Sequence, residues 1–239
     1  MAAVDLSGKI ALITGASRGI GAAVAKAYAA AGAHVILLAR DVKKLEQVDD
    51  TIRAQGGQAT LLPLDLSQLD DVDRIGPTLH DKFGGLDIVV GNAARLGTLS
   101  PLTHIKAREF DTVFRINVTA NFHLIRTLDP LLQQSKAGRA IFVTTSHGVV
   151  YGRAYWGSYA ISKAALESMV RVYASEVAQT PIRVNMINPG AVRTDMRAAA
   201  IPGENPMTLP APEEVAPAFL ELVSDTCNKH GEIVSVSAK

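Results

Sequence analysis

Tyr159 and Lys163 are the residues whose types and spacing most directly suggest proton chemistry. On a helix, side chains four residues apart share one face. A neighbouring ammonium favours the tyrosinate, so a phenol with an ordinary pKa of about 10 could exchange a proton closer to neutral pH. A Tyr-x3-Lys match also arises by chance in a chain with 5 tyrosines, as a surface aromatic–cation pair. The neighbourhood of the pair therefore has to decide its meaning.

Two further polar residues precede this pair. Ser146 lies 13 residues before Tyr159, at the end of a predicted strand. Its hydroxyl could bond a substrate oxygen and stabilise the charge that develops there. Asn117 falls in the middle of a predicted helix over 106–133, where a surface amide is the alternative. We expect Asn117, Ser146, Tyr159 and Lys163 to form the catalytic set, and we expect no metal site.

A glycine-rich segment follows the first predicted strand directly. Glycines let the backbone turn tightly, and the free N–H groups and positive dipole of a helix N-terminus attract phosphate. A structural turn with incidental glycines is the less favoured alternative. The residues expected to hold a pyrophosphate are Gly15, Ser17, Arg18, Gly19, Ile20 and Gly21.

The end of the second predicted strand bears on cofactor choice. An acidic residue there would bond the ribose hydroxyl of NAD, and an arginine would accommodate the phosphate of NADP. The strand is followed by Arg40, and Arg18 lies within plausible reach of the same phosphate, so we expect NADP(H) to be preferred. If the strand ended two residues later, Asp41 would take the acidic role and NAD(H) would be possible.

Short apolar, β-branched runs alternate with stretches of helical period along the chain. Consecutive apolar positions are typical of parallel strands covered on both faces. The predicted strands are 10–14, 34–39, 59–64, 87–91, 140–145, 182–187 and 232–236. The predicted helices are 20–31, 43–55, 68–83, 106–133, 155–178 and 213–224.

This alternation predicts an α/β protein with a three-layer, doubly wound Rossmann fold and a seven-stranded parallel sheet. No shift in composition divides the chain, so we expect one domain over 1–239. The proline-rich segment 196–212 interrupts the pattern and is predicted to be a loop over the substrate.

Taken together, these motifs have the order and spacing of a known family. The segment 14–21, Asn117, Ser146, the Tyr159–Lys163 motif and Pro189-Gly190 resemble the short-chain dehydrogenase/reductase family, in its branch of about 250 residues. The resemblance implies an NAD(P)-dependent oxidoreductase in which hydride passes between the nicotinamide and a carbonyl carbon. The run 152–157 before Tyr159 looks like that of poorly characterised bacterial members of the family.

The resemblance also implies roles for individual residues. Tyr159 would be the general acid and base, Lys163 would lower its pKa and hold the nicotinamide ribose, and Asn117 would hold a water that links Lys163 to solvent. Asp65 and Leu66 would lie at the adenine and Asn92 at the adenosine ribose. The nicotinamide end and the phosphates would be held by Pro189, Gly190, Val192 and Thr194.

Two departures from the family pattern stand out. The family usually has Asn-Asn-Ala-Gly after the fourth strand, whereas this chain has Gly91-Asn92-Ala93-Ala94, which puts the bracing of the sheet in doubt. The C-terminus lacks the usual Val-Asp-Gly-Gly stretch that reaches a neighbouring subunit. Of the two homo-oligomers considered, a homodimer through helices 106–133 and 155–178 is therefore favoured over a homotetramer.

Composition excludes several classes of partner. A net charge of +1 gives no reason to expect binding to nucleic acid or to an acidic membrane surface. No apolar run approaches the roughly 18 residues of a membrane span, and the N-terminus lacks a secretory pattern. The single cysteine fits a reducing compartment, so we expect the cytoplasm.

The substrate is expected to be a small carbonyl compound or its alcohol. The residues predicted to lie at the mouth of the site, besides 196–212, are His147, Tyr151, Arg153, Tyr155 and Trp156. Their aromatic rings suggest an apolar or ring-bearing compound, or equally a dimer seam. The alternative function is a catalytically silent dinucleotide-binding sensor or scaffold. Such proteins usually lose one of the serine, tyrosine and lysine, and this chain keeps all three.

Overall fold

The computed structural model of the protein describes residues 4–236, and of His147 and Gly148 it describes only the backbone. It contains one seven-stranded parallel sheet of order β3-β2-β1-β4-β5-β6-β7. The strands are β1 (Ile10–Thr14), β2 (His34–Ala39), β3 (Gln58–Pro63), β4 (Ile88–Gly91), β5 (Arg139–Val143), β6 (Arg183–Asn188) and β7 (Ile233–Ser235). This confirms the predicted sheet, with the bounds of β1 and β2 as predicted and those of the other strands shifted by one or two residues.

The helices connect these strands. They are α1 (Gly19–Ala30), α2 (Val42–Ala54), α3 (Leu69–Asp73), α4 (Ile75–Phe83), α5 (Ala107–Phe114), α6 (Ala120–Gln134), α7 (His147–Val150), α8 (Gly157–Glu176), α9 (Asp195–Ala200) and α10 (Pro212–Val223). A π-helical turn covers Arg115–Thr119, and 3-10 turns cover Leu102–His104 and Pro206–Thr208.

Two hydrophobic clusters cover the two faces of the sheet. Successive strand residues, such as Leu12 and Ile13 of β1, belong to different clusters because their side chains point to opposite faces of the sheet. Helices α1, α2 and α10 contribute to one cluster, and α3, α4, α6 and α8 to the other. The fold therefore has the three layers that the sequence predicts.

The predicted helix over 68–83 is wrong in one respect, because it is two helices that meet at Arg74. Proline lacks an N–H, so Pro77 could not donate to the carbonyl of Asp73 in a continuous helix. The hydroxyl of Thr127 donates to that carbonyl instead, at 2.7 Å. Pro77 lies in the first turn of α4, where its missing N–H costs little.

Two other predicted elements need correction. The predicted helix 106–133 contains the π turn at Arg115–Thr119, where the side chain of Asn121 donates to the backbone carbonyl of Asn117 at 2.9 Å. The predicted loop 196–212 includes helix α9, which is capped by Thr194, and the 3-10 turn at Pro206–Thr208.

The strand order reverses between β1 and β4. In open parallel sheets, ligands bind beyond the carboxyl ends of the strands at this point of reversal. The glycine segment, Asn92 and the residues that follow β5 and β6 all lie at that edge.

Candidate active site

The glycine segment forms a turn that only glycine can build. Gly15 and Gly19 have positive φ angles of 67° and 56°. A Cβ on Gly21 would lie 2.3 Å from the carbonyl oxygen of Gly15, so the start of α1 approaches the end of β1 without room for a side chain. The first N–H groups of α1 have no intrahelical acceptors, and they are available to an anion.

Asn92 braces the two strands at the point of reversal. Its side chain donates to the carbonyl of Thr14 at 2.8 Å, and its backbone N–H donates to the hydroxyl of Thr14 at 3.0 Å. That hydroxyl in turn donates to the carbonyl of Val90 at 3.2 Å. Asn92 therefore links β1 and β4 in this chain, which has Gly91 where the family usually has its first asparagine.

The end of β2 separates the two cofactor alternatives. The strand ends at Ala39, as predicted, and the carboxylate of Asp41 accepts a hydrogen bond from the N–H of Lys44 at 3.2 Å. Asp41 therefore caps α2 and lies two residues beyond the strand end. Arg40 is exposed and faces Asp65, with 3.8 Å between the charged atoms.

Arg18 faces a different carboxylate from Arg40. Its guanidinium donates to Asp195 at 3.0 Å, so the glycine turn contacts the start of α9.

Leu66 is buried against the α3 and α6 side of the core rather than open at the surface.

The segment after β6 also reaches the glycine turn. Gly190 has a positive φ of 73°, Pro189 and Val192 are buried, and the hydroxyl of Thr194 accepts from the N–H of Arg197 at 3.2 Å to cap α9. The methyl group of Thr194 lies 3.4 Å from where a Cβ on Gly19 would be. The structure thus brings the predicted 189–194 segment against the phosphate-binding turn.

Helix α8 carries Tyr159 and Lys163 on one face. Lys163 is 2% exposed, and its ammonium donates to the carbonyl of Val143 at 2.7 Å. The nitrogen lies 5.8 Å from the centre of the Tyr159 ring. The alternative of a surface aromatic–cation pair is therefore wrong, because both side chains are buried at the end of β5.

Burial dominates the proton affinities of this pair. It raises the pKa of Tyr159 to about 12, against a hydrogen bond from Thr145 that lowers it. Burial also lowers the pKa of Lys163 to about 8, while the nearby carboxylate of Glu167 raises it. The expected lowering of the pKa of Tyr159 is reversed, since desolvation of the phenolate outweighs the other influences.

The residues at the end of β5 differ in part from the prediction. Ser146 is exposed and lies three residues beyond the strand, which ends at Val143 and not at Thr145. The side chain in this segment that lowers the pKa of Tyr159 is that of Thr145. Sequence reasoning missed Thr145, and the Thr-Thr-Ser run after a buried strand was the available signal.

Asn117 is fully buried, so the alternative of a surface amide is wrong. Its side-chain oxygen accepts from the N–H of Arg95 at 2.8 Å. Its amide nitrogen donates to the carbonyl of Arg95 and to the hydroxyl of Ser162, each at 2.9 Å. Asn117 thereby fixes the segment after β4 against α8, one residue from Lys163.

A small apolar cluster surrounds Tyr159. It contains Val149 and Ala160, with Leu96, Trp156 and Met196 against them. Met196 belongs to α9, so this helix borders the site. The Trp156 ring lies 5.9 Å from that of Tyr159, and the guanidinium of Arg153 lies 4.9 Å from the Trp156 ring.

The remaining residues of the predicted mouth are the exposed rings of Tyr151 and Tyr155. Tyr155 has a φ of 70°, a left-handed conformation that costs free energy for a bulky side chain. The side chain of His147, also predicted at the mouth, lies outside the described residues. Among the side chains that the structure describes, no group of acidic, histidine or cysteine residues could hold a metal ion. No helix within 4–236 has the length and apolarity to cross a membrane.

Comparison with known proteins places these features in a family. A family model described as short chain dehydrogenase matches residues 9–205. The chain is 41% identical over 223 residues to the uncharacterized oxidoreductase YciK of Escherichia coli K12. The aligned residues cover 92% of this chain and 88% of that protein. It is 35% identical over 215 residues to a fatty acyl-CoA reductase of Acinetobacter baylyi, covering 89% of this chain and 72% of the relative.

Solved structures agree with this assignment. A short chain dehydrogenase from Shigella flexneri, crystallised with NADP, superposes with a TM-score of 0.93 at 39% identity and covers 98% of each chain. One from Escherichia coli CFT073, crystallised with NADPH, gives a TM-score of 0.91 at 40% identity over 96% of each chain. The chain therefore belongs to the short-chain dehydrogenase family, whose members are NAD(P)-dependent oxidoreductases that act on CH–OH and C=O groups.

Proposed function

We propose that this protein interconverts a carbonyl compound and its alcohol with NADP(H), and that Tyr159 is the general acid and base. The observation that carries the proposal is the burial of Tyr159 and Lys163 together at the end of β5, beside the point where the strand order reverses. The apolar cluster around Tyr159 supports an apolar or ring-bearing substrate.

The residues around the glycine turn fit a dinucleotide. The contact between Gly21 and the carbonyl of Gly15 leaves no room for a side chain, and so keeps the backbone N–H groups of α1 open to a pyrophosphate. The pyrophosphate would also contact Gly15, Ser17, Gly19 and Ile20. Toward the other end, the segment with Pro189, Gly190, Val192 and Thr194 would hold the nicotinamide, with Asn92 beside the adenosine ribose.

Two cations favour NADP over NAD. Arg18 and Arg40 are exposed, and each faces only an exposed or partly exposed carboxylate, so either can turn toward a phosphate. The relatives crystallised with NADP and NADPH support the same choice. Asp65 and Leu66 would then lie along the adenine.

The chemistry of the protein's own groups follows from their environments. The bound cofactor supplies or accepts the hydride. The raised pKa keeps Tyr159 protonated at neutral pH, and this is the form that donates a proton to the substrate oxygen in reduction. Ser146 stabilises the developing charge on that oxygen. Lys163 holds the nicotinamide ribose and offers a cation beside the phenol.

We also propose that residues 1–239 act as one domain and that 196–212 covers the substrate. Met196 borders Tyr159, and Arg18 contacts Asp195 at the start of the same helix. These two contacts support a position for the segment between the cofactor end and the reacting end of the site.

A substrate screen with one variant tests the proposed reaction. Purified protein is assayed for NADPH oxidation with ketones, aldehydes and 3-oxoacyl thioesters. We expect turnover with at least one class. Tyr159→Phe should reduce kcat by at least about a thousandfold, as loss of general acid catalysis does, and leave NADPH affinity within about twofold. Turnover that survives in Tyr159→Phe would exclude this mechanism, and hydride transfer to none of the classes would favour the sensor or scaffold.

A second variant tests the cofactor preference. Arg40→Ala should weaken NADPH binding by about tenfold, the value of one charge-assisted hydrogen bond to phosphate, and leave NADH binding unchanged. Titration of cofactor fluorescence measures both affinities. Lys43→Ala, which removes an exposed cation from α2 nearby, is the matched control. Equal losses for NADPH in the two variants would show that Arg40 does not contact the phosphate.

A further inference from the structure

Three successive residues at the end of β5 contact three residues of α8 that are spaced by one turn. Val143 accepts from Lys163 through its carbonyl, and the side chain of Thr145 faces Tyr159 and lowers the pKa of its phenol. Between them, the hydroxyl of Thr144 donates to Glu167 at 2.6 Å. Since residues four apart on a helix share one face, the strand end holds this whole face in register.

Glu167 has no part in the proposed reaction, yet it is 4% exposed. Buried carboxylates are kept where partners compensate for the loss of water. One oxygen accepts from Thr144, and the other lies 3.5 Å from the guanidinium of Arg171, a half-exposed side chain one turn further on. Glu167 lies one turn beyond Lys163 on the same face of α8, and the burial of a carboxylate on that face calls for a reason.

The charges around Lys163 supply that reason. Burial works against the ammonium and lowers the pKa of Lys163 to about 8, and the carboxylate of Glu167 raises it. The groups that face Lys163 and Glu167 from β5 are neutral, namely the Val143 carbonyl and the Thr144 hydroxyl. Asn117 on the π turn reaches α8 through Ser162 and is also neutral.

We propose that Glu167 is a positioning residue for proton transfer at Tyr159, anchored by Thr144, and that its charge keeps Lys163 cationic over the working pH range. This inference rests on the proposed function of Tyr159 and Lys163. It assigns to the Thr144–Glu167 pair the upper pH limit of carbonyl reduction.

The sign of the effect follows from the ammonium. A Lys163 cation is present below its pKa and is lost as the pH rises through it. Without the carboxylate of Glu167 the proton leaves Lys163 at lower pH. The decline of kcat for reduction on the alkaline side should therefore begin at lower pH. We expect a shift of about one pH unit for the loss of one charge one helical turn away.

The test compares pH profiles of kcat for reduction, with a substrate from the screen above, in wild type and in Glu167→Gln. Glutamine can still accept from Thr144, so the variant removes charge and keeps the contact. Glu167→Asp retains the charge and should restore most of the alkaline limb. The matched control is Glu176→Gln, which removes an exposed carboxylate from the end of the same helix and should leave the profile unchanged.

A second route covers the case in which Glu167→Gln does not fold. The double variant Thr144→Val/Glu167→Leu replaces both polar groups by apolar ones of similar volume, which buried polar pairs often tolerate. In its pH profile of kcat, the alkaline decline should also move to lower pH. Circular dichroism confirms folding before each profile is measured.

The outcomes separate this inference from the function on which it rests. An alkaline limb that stays in place in Glu167→Gln and in the double variant, while Tyr159→Phe is inactive, overturns the role of Glu167 alone. Turnover that persists in Tyr159→Phe overturns the proposed function itself. A fall in kcat that is equal at every pH means that Glu167 only supports the fold, and it overturns the inference.

Discussion

At the scale of single residues, the buried ammonium of Lys163 is the clearest conflict between stability and chemistry. Its side chain is 2% exposed and its pKa is lowered to about 8 because burial disfavours the charged form. The folded protein therefore resists the protonation that the unfolded chain accepts below a pKa of about 10.4. Such a residue lowers the free energy of unfolding at neutral pH. A side chain that destabilises the fold in this way is kept for function rather than for stability.

Lys163→Met should consequently be more stable and inactive. Between pH 8 and 10.5 the unfolded state of the wild type binds more protons than the folded state, so its stability rises with pH in that window. We expect the variant to gain about 2 kcal/mol at pH 7, after about 1 kcal/mol is deducted for the lost bond to Val143.

Urea denaturation at pH 7 and at pH 10 measures this difference. The advantage of the variant should shrink toward zero at pH 10, where the folded-state lysine is neutral and the unfolded-state lysine has begun to lose its proton. An advantage that is equal at both pH values would mean that packing, rather than charge, is the cause.

At the scale of elements, the patterns that predict structure are periodicities along the chain, and the departures come from side-chain hydrogen bonds. The alternation of apolar runs predicted the seven strands, and the glycine segment predicted the turn before α1. The break at Arg74 depends on Thr127, which lies more than fifty residues away and supplies a hydrogen bond that Pro77 cannot. The π turn likewise depends on a side chain, Asn121, which bonds the carbonyl of Asn117.

The candidate site divides in the same way. Tyr159, Lys163 and the glycine turn carry motif spacings that can be found in a single sequence. The contact of Thr144 with Glu167 joins residues 23 apart, and neither residue type suggests a site by itself. Only the register between β5 and α8 brings them together, so this part of the site could not be predicted.

The turn itself offers a sharp test of geometry. In Gly21→Ala the added Cβ would meet the carbonyl of Gly15 at 2.3 Å and the side chain of Asn92 at 2.5 Å. Both are held by the sheet, so the turn must open, and we expect NADPH affinity to fall by at least about a hundredfold.

Gly85→Ala is the matched control for this substitution. Its Cβ would meet nothing within 4 Å, and its φ is not in the left-handed region. Fluorescence titration should show unchanged affinity in this variant. Tight NADPH binding by Gly21→Ala would mean that the phosphates do not approach the backbone at this turn.

At the scale of the whole molecule, the outer layer formed by α6 and α8 carries exposed apolar side chains. Phe122 is 48% exposed, Ile161 is 40% exposed and Val172 is 55% exposed. The hydroxyl of Tyr173 donates to Asp129 at 2.8 Å and ties the two helices side by side. The homodimer expected from the sequence uses this layer and stays a prediction.

Val172→Glu tests the homodimer. A buried carboxylate at a two-fold interface would face its own copy, so we expect the variant to sediment as a monomer where the wild type sediments as a dimer. Val42→Glu, on α2 in the opposite layer, should leave the dimer intact. A wild type that is itself monomeric, or a Val172→Glu variant that remains dimeric, would exclude this interface.

The placement of Trp156 gives the protein an optical reporter of its own. The chain has 1 tryptophan, and its ring lies 5.9 Å from that of Tyr159 within the apolar cluster that also contains Met196. Indole emission overlaps the absorption of reduced nicotinamide, so energy transfer from a single donor should accompany NADPH binding. Closure of α9 over the ring should shift the emission to shorter wavelength. Cofactor entry and movement of the 196–212 segment could then be followed as separate signals in unlabelled protein.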